Sequence, residues 1–284
     1  MQNIKGRYNS TLITRPSTKK SILSKNSLHG WGVKVAIIDS GITGDVQCSD
    51  SIDYTNTGLM DTYNHGTGVA KIIKFFAPGA NLYVAKVGAQ KPSEAYVLRA
   101  LKWAEDVGAQ IVNLSCGFDE NRPLTGCKDK CVLCQTVNYL SSKGIVVVVA
   151  AGNDMKQEGK PMPCPACATK AITVGAIDQN GKLAEYSISG KLDKPNILAP
   201  GSLYIDGEYF EGTSFAAPIV TGLLASTLNN YPSIEKTIEI MYGTAKNIGL
   251  PIYKQGHGII DIEKFVEELH NEKIDGTSEG YKQN

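Results

Sequence analysis

The stretch Gly212-Thr213-Ser214-Phe215-Ala216-Ala217-Pro218 has the composition expected around a reactive serine at the start of a helix. Apolar residues follow Ser214 at helical spacing, at positions 215, 219, 223 and 224. This pattern predicts that Ser214 lies at a helix N-terminus and that Pro218 lies in the first turn, where proline is tolerated. Backbone N–H groups and the helix dipole favour negative charge there, which suits a serine that must stabilise an oxyanion. For a Thr-Ser pair standing alone, a simple helix cap would be the better interpretation.

Three segments upstream carry groups that could act with Ser214. Asp39 ends a β-branched run that is typical of a strand buried on both faces, and chemistry in α/β proteins is found at the carboxyl ends of such strands. Asp39-Ser40-Gly41 is equally compatible with ordinary turn chemistry. His65 lies between Asn64 and Gly66 before a helical pattern, a setting that no other histidine has. Asn153 ends the longest apolar run of the chain.

Strands and helices alternate along the chain, which predicts an α/β fold with a doubly wound, mainly parallel sheet and helices on both faces. Residues 44–63 are interpreted as a loop and residues 256–262 as a late strand. No linker divides the chain, so one domain is expected over residues 31–270. Residues 1–30 are expected to form an N-terminal arm or short prosegment, and residues 271–284 a disordered polar tail.

Charge and targeting signals narrow the class of partner. The chain has 29 Lys and Arg against 28 Asp and Glu, a net charge of +1, which gives no electrostatic reason to expect nucleic acid or a membrane as partner. Residues 1–30 are basic without the apolar core of a signal peptide, and no later run is long enough to span a bilayer. These features predict a soluble, cytoplasmic protein with small or peptidic partners.

The chain order Asp39, His65, Ser214, with the amide of Asn153, resembles the subtilisin-like serine peptidases (subtilases, peptidase family S8) over residues 32–265. The resemblance implies a serine endopeptidase with the subtilisin-like fold. Ser214 would attack the peptide carbonyl, His65 would act as general base and Asp39 would orient His65. Asn153 and the backbone N–H of Ser214 would form the oxyanion hole.

The resemblance also implies a substrate cleft in which an extended peptide lies between two backbone edges. The residues expected in that cleft are Gly88, Gln90, Ser115, Cys116, Gly117, Ala151 and Gly152. Cys116 and Pro163 fall near the specificity pocket and are unusual for the family, so the residue preferred before the scissile bond is not predicted. The alternative function is a non-catalytic subtilase-fold module that binds peptides. A peptidase dedicated to one precursor peptide is a narrower version of the endopeptidase prediction.

Two departures from the family concern metals. The connection between His65 and the strand at Asn81 is short, so the resemblance predicts that the family's strong calcium site is missing. Two Cys-x-x-Cys pairs, Cys131 with Cys134 and Cys164 with Cys167, are compatible with one structural zinc ion. Cys127 is the expected substitute ligand. Two disulfides, or thiols buried separately, are the competing interpretations.

Overall fold

The protein is described here by a computed structural model, which places residues 23, 25–44, 46–118, 127–154, 162–190, 193–231 and 233–279, with side chains placed as far as residue 272. Most of the expected N-terminal arm and the last five residues of the expected tail lie outside the described residues.

The centre of the molecule is a seven-stranded sheet in which every pairing is parallel. The strands follow the order β2-β3-β1-β4-β5-β6-β7, and β8 and β9 form a separate antiparallel hairpin. The strands are β1 (Lys34–Asp39), β2 (Asp50–Asp53), β3 (Asn81–Lys86), β4 (Ile111–Leu114), β5 (Val146–Ala150), β6 (Ile172–Ile177), β7 (Ile197–Pro200), β8 (Ser202–Ile205) and β9 (Glu208–Glu211). The prediction of an α/β fold with a mainly parallel sheet is confirmed.

Helices cover both faces of this sheet. The described helices are α1 (His65–Phe76), α2 (Glu94–Asp106), α3 (Val132–Ser142), α4 (Thr213–Thr227), α5 (Ile234–Gly243), α6 (Ile252–Gln255) and α7 (Ile262–Glu279). Apolar residues of α1 and α4 share one core with Val35 and Ile37 of β1, and those of α2 and α3 share the other with Ala36 and Ile38. Burial on both faces explains why β1 reads as a continuous apolar run. None of the helices described is both long and apolar enough to cross a membrane.

Three elements differ from the sequence predictions. Strand β2 lies within the predicted loop at residues 44–63; it is polar because it forms the outer edge of the sheet and pairs only with β3. The predicted strand at residues 256–262 is reduced to bridges of Ile259 with Leu198 and Lys246, since Gly256 and Gly258 have positive φ values that interrupt it. Helix α7 continues past residue 270 to Glu279, and Lys236 Nζ of α5 lies 3.1 Å from Glu272 Oε1.

Helix α1 runs without interruption from His65 to Phe76, and residues 77–80 join it to β3. Such a connection has no room for a loop carrying the six to eight oxygen ligands that calcium requires. We therefore expect EGTA to leave the melting temperature unchanged. Differential scanning calorimetry with EGTA and with added calcium checks this, and a large EGTA-induced fall would reveal a calcium site elsewhere.

Candidate active site

Asp39 and His65 meet where β1 ends and α1 begins. The Nδ1 atom of His65 lies 2.7 Å from Oδ1 of Asp39, whose side chain is buried. The approach depends on Gly66, because a methyl group at this position would lie 2.4 Å from the carbonyl oxygen of Gly41 and 3.1 Å from Oδ1 of Asp39. The glycine beside the histidine thus allows the helix to contact the end of the strand.

A second carboxylate, Asp61, supports this pair from behind. The Ser40 hydroxyl donates to Asp61 Oδ1 at 2.8 Å and accepts the backbone N–H of Gly66 at 2.9 Å. The other Asp61 oxygen accepts the N–H and the hydroxyl of Thr67 at 2.8 and 2.7 Å. Asp61 therefore fixes the first turn of α1 against the end of β1. The sequence prediction missed Asp61, since it lies in a polar loop without a local pattern.

The surroundings of His65 favour its protonated form. Burial lowers the pKa of His65, but the charge of Asp39, the hydrogen bond that His65 donates to Asp39 and the charge of Asp61 together raise it above the ordinary value. A general base must be neutral, so kcat/KM falls when acid protonates His65. Because the pKa of His65 is raised, this fall, the acidic limb of the pH profile, is expected at a higher pH than the titration of a free histidine.

Replacement of Asp61 by asparagine removes one of the charges that stabilise protonated His65. The pKa of His65 should fall, and the acidic limb of kcat/KM should move to lower pH. Rate measurements across the acidic range test this, with Asp178→Asn on the surface as the matched control. A limb that stays in place or moves to higher pH would contradict the electrostatic role of Asp61.

Ser214 is the second residue of α4, behind Gly212 at the N-cap. Pro218 lies in the second turn, not in the first as predicted. Because proline has no N–H, it cannot donate to the Ser214 carbonyl four residues earlier. That carbonyl instead accepts the Ser115 hydroxyl at 2.9 Å, and the Ser214 hydroxyl donates to the Ser115 carbonyl at 3.2 Å. The proline thereby leaves the helix start free to bond to the segment after β4.

A buried polar chain fixes α4 on the sheet. The Thr221 hydroxyl donates to Asn113 Oδ1 at 2.8 Å, and Asn113 Nδ2 donates to the Ser115 hydroxyl at 3.0 Å. Both Asn113 and Thr221 are fully buried. Buried polar groups are costly when unpaired, so these hydrogen bonds favour one packing position of α4 on the sheet. They thereby fix the position of Ser214.

The Asn153 side chain is held in one orientation by Thr213. Asn153 Oδ1 accepts both the backbone N–H and the hydroxyl of Thr213 at 3.0 Å. A backbone N–H can only donate, so Oδ1 must face Thr213 and the Nδ2 donor is directed away from it. A side chain at position 212 would lie 3.1 Å from that donor, which accounts for Gly212. The sequence motif contained Thr213, but its role became visible only in the structure.

Asn153→Ala should lower kcat by roughly 10²- to 10³-fold with little change in KM, because the amide acts on charge that develops in the transition state. That range is the one known for the loss of a single oxyanion-hole donor. Steady-state kinetics on a peptide substrate provide the test. Equal kcat values in the two proteins would remove Asn153 from the mechanism.

An open cleft contains Asp39, His65 and Ser214 together with most of the predicted substrate-binding residues. The lining includes Gly88, Gln90, Ser115, Cys116 and Gly117. Ala151 does not belong to this lining: it is fully buried in the core that includes α2 and α3. Gly152 is half-buried and precedes Asn153, and it too is absent from the lining of the open cleft.

The cysteines form a compact cluster. The sulfurs of Cys127, Cys134, Cys164 and Cys167 all lie within 4.8 Å of one another. Individual S–S distances are 3.3 Å for 127–134, 3.5 Å for 127–167, 3.5 Å for 134–167 and 3.4 Å for 164–167. These exceed the disulfide length of about 2.05 Å, and all cysteines of the chain are free. No disulfide bond joins these sulfurs. Because the four sulfurs lie together, the interpretation as separately buried thiols is wrong for these residues.

The set of four differs from the predicted one in a single residue. Cys127, the predicted substitute, belongs to this set and Cys131 does not, although the Cys131 thiol also contacts those of Cys127, Cys134 and Cys164. Cys131 is the N-cap of α3, and its sulfur accepts the backbone N–H of Cys134 at 3.4 Å. Contacts with Cys134 and Cys164 lower the pKa of the Cys167 thiol, whereas the pKa values of Cys127, Cys134 and Cys164 are raised. Without a metal ion, the cluster therefore favours one thiolate, at Cys167.

The parallel sheet, the Asp-His pair and a serine at a helix N-terminus define an α/β serine hydrolase. The sequence model of the subtilase family (peptidase family S8) matches residues 30–258. The chain is 30% identical to subtilisin DY of Bacillus licheniformis over 273 residues, which cover 87% of this chain and 96% of subtilisin DY. The chain therefore belongs to the subtilase family and is a subtilisin-like serine peptidase.

Two solved structures show the same fold. A lanthipeptide protease has a TM-score of 0.76 at 21% identity, with 90% of this chain and 93% of the other covered. The prenylagaramide maturation protease PagA has a TM-score of 0.71 at 24% identity, with 88% and 98% covered. At these identities the likeness concerns the fold alone.

Proposed function

We propose that the cleft hydrolyses peptide bonds through Ser214 as nucleophile, with His65, Asp39 and Asn153 as its partners. The 2.7 Å contact between His65 Nδ1 and Asp39, in the same cleft as Ser214, is the observation that carries this proposal. The contact fixes the tautomer in which His65 Nε2 is free to accept a proton.

The reaction begins when the Ser214 hydroxyl turns from the Ser115 carbonyl toward His65. Ser214 Oγ attacks the substrate carbonyl while His65 accepts the hydroxyl proton, and Asp39 stabilises the imidazolium. The oxyanion accepts hydrogen bonds from Asn153 Nδ2 and from the Ser214 N–H at the start of α4. His65 then protonates the leaving amine, and water releases the acyl group by the reverse sequence.

A fluorophosphonate probe tests this assignment directly. The probe should label Ser214 in the wild-type protein, and peptide mapping should locate the label. Ser214→Ala should remain unlabelled. Wild-type protein that binds peptides but is neither labelled nor able to cleave them would favour the non-catalytic module.

We further propose that the substrate is a dedicated precursor peptide. One support is Cys116 in the lining of the cleft, with Cys164 of the cysteine cluster paired to Phe118 next to it. The other is the fold shared with the prenylagaramide maturation protease PagA and with a lanthipeptide protease. Incubation with unfolded casein should give few products, whereas a general subtilisin-like enzyme would degrade it extensively. Extensive degradation would contradict the proposal.

The cysteine cluster is proposed to hold one zinc ion. Zinc–sulfur bonds of about 2.3 Å in a tetrahedron place the sulfurs about 3.8 Å apart, close to the spacing observed. Cys127, Cys134 and Cys164 are buried, as in a closed structural site. Metal analysis of protein purified without added zinc should find about one zinc per chain, and its absence would contradict the assignment.

Lys194 supplies positive charge near this cluster. Its buried ammonium donates to the Ala171 carbonyl at 2.6 Å and to Asn196 Oδ1 at 2.8 Å. Burial lowers the pKa of Lys194 to about 8, while the charges of Asp193, Asp129, Cys167 and Cys134 act in the opposite direction. Four thiolates around a divalent ion carry excess negative charge, which a buried cation offsets.

The free thiols also support a reducing location for the protein, for which we propose the cytoplasm. Fractionation of the source cells, with alkylation before lysis, tests this. Recovery of the protein outside the cells with oxidised cysteines would contradict it.

A further inference from the structure

One proline ring lies between the two segments that flank the catalytic serine. A methyl group placed on Gly117 would lie 3.2 Å from Cβ and 3.3 Å from Cγ of Pro163. A methyl group placed on Gly152 would lie 3.0 Å from the same Cγ. Pro163 is buried, so its ring occupies the space between these two glycines.

This space lies beside the residues proposed to hold the scissile carbonyl. Gly152 precedes Asn153, the proposed oxyanion donor. Gly117 lies two residues after Ser115, whose carbonyl accepts the Ser214 hydroxyl. We propose that the side chain of the residue before the scissile bond enters this space and that Pro163 restricts that residue to glycine or alanine. The inference rests on the proposed function.

The position of Pro163 is fixed from several sides. Phe118 and Cys164 exchange backbone hydrogen bonds of 2.8 and 3.0 Å, and the N–H of Cys167 donates to the Pro163 carbonyl at 3.1 Å. Cδ1 of Ile188 also lies 3.0 Å from the methyl position on Gly152. A proline ring has no rotamer that would move it aside, so a large substrate side chain cannot displace it.

The size of the effect follows from how pockets discriminate by volume. One methylene group that does not fit changes kcat/KM by about 10- to 200-fold. Leucine and phenylalanine exceed alanine by several such groups. Peptides with glycine or alanine before the scissile bond should therefore be cleaved at least about 100-fold more efficiently than those with leucine or phenylalanine.

The test uses a peptide library randomised on both sides of the cleavage site, with product sequences read by mass spectrometry. Wild-type protein should yield products ending in glycine or alanine. Pro163→Ala and Pro163→Gly should add products ending in leucine, methionine or phenylalanine, with at least about a 10-fold gain in kcat/KM for these residues. Pro251→Ala, at an exposed proline, should keep the wild-type pattern.

Fluorophosphonate labelling of every variant separates the possible failures. Wild-type protein that is labelled but cleaves freely after large residues, or yields no products ending in glycine or alanine, overturns the inference and leaves the peptidase assignment intact. Labelled Pro163 variants with an unchanged preference also overturn it. If both Pro163 variants fail to fold, the wild-type pattern decides. Wild-type protein that is neither labelled nor active contradicts the proposed function itself.

Discussion

Ser214→Ala is expected to lower kcat by roughly 10⁶-fold, the size of loss known for the nucleophile of the related subtilisin. The hydroxyl is the group that forms the acyl-enzyme, and no neighbouring side chain can replace it. The cleft, the Asn153 donor and the start of α4 remain, so slow residual hydrolysis should persist. Single-turnover kinetics on a peptide that is cleaved well by wild-type protein measure the loss.

Two further variants show whether the residues act as a unit. His65→Ala should lower kcat about as much as Ser214→Ala does, and the double variant should lower it little further. The reason is that the same step, attack by the serine, fails in all three variants. Ser226→Ala is the matched control: this serine lies on the same helix, is buried, and donates only to the Leu223 carbonyl. Additive losses from Ser214 and His65, or a comparable loss in Ser226→Ala, would contradict the assignment.

The second large effect is expected from loss of the cysteine cluster. Structural zinc contributes roughly 10 kcal/mol or more of apparent binding free energy, which exceeds the stability of many domains. Cys127→Ser and Cys134→Ser should therefore lose zinc and unfold at much lower temperature. Activity should fall with stability, since Cys164 pairs with Phe118 beside the cleft. Zinc content, melting temperature and cleavage rate are the measurements.

Cys131→Ser provides the sharpest control, since it lies four residues from one proposed ligand and three from another. It should retain zinc and most of the stability, as should Cys48→Ser. Zinc loss in Cys131→Ser with retention in Cys127→Ser would restore the set predicted from the sequence. Metal-free wild-type protein with oxidised cysteines would mean disulfides instead.

The sequence by itself determined the fold class and identified the four residues proposed for catalysis. Each of these signals is local: Asp39 ends a continuous apolar run, His65 and Ser214 begin helical patterns, and Asn153 ends the longest strand pattern. Strand and helix periodicities depend on a few neighbouring residues, so they can be read without knowing the rest of the molecule. The family resemblance then supplied their roles.

The tertiary structure alone decided which residues support that site. Asp61 and Thr213 act through contacts with segments 21 and 60 residues away along the chain. Which four cysteines lie closest together depends on how residues 127–134 and 164–167 pack, and a spacing rule cannot express that packing. The family resemblance placed Pro163 near the specificity pocket, but only the folded structure shows that its ring lies between Gly117 and Gly152. Contacts between distant segments depend on how the sheet and helices pack, and no short stretch of sequence encodes that packing.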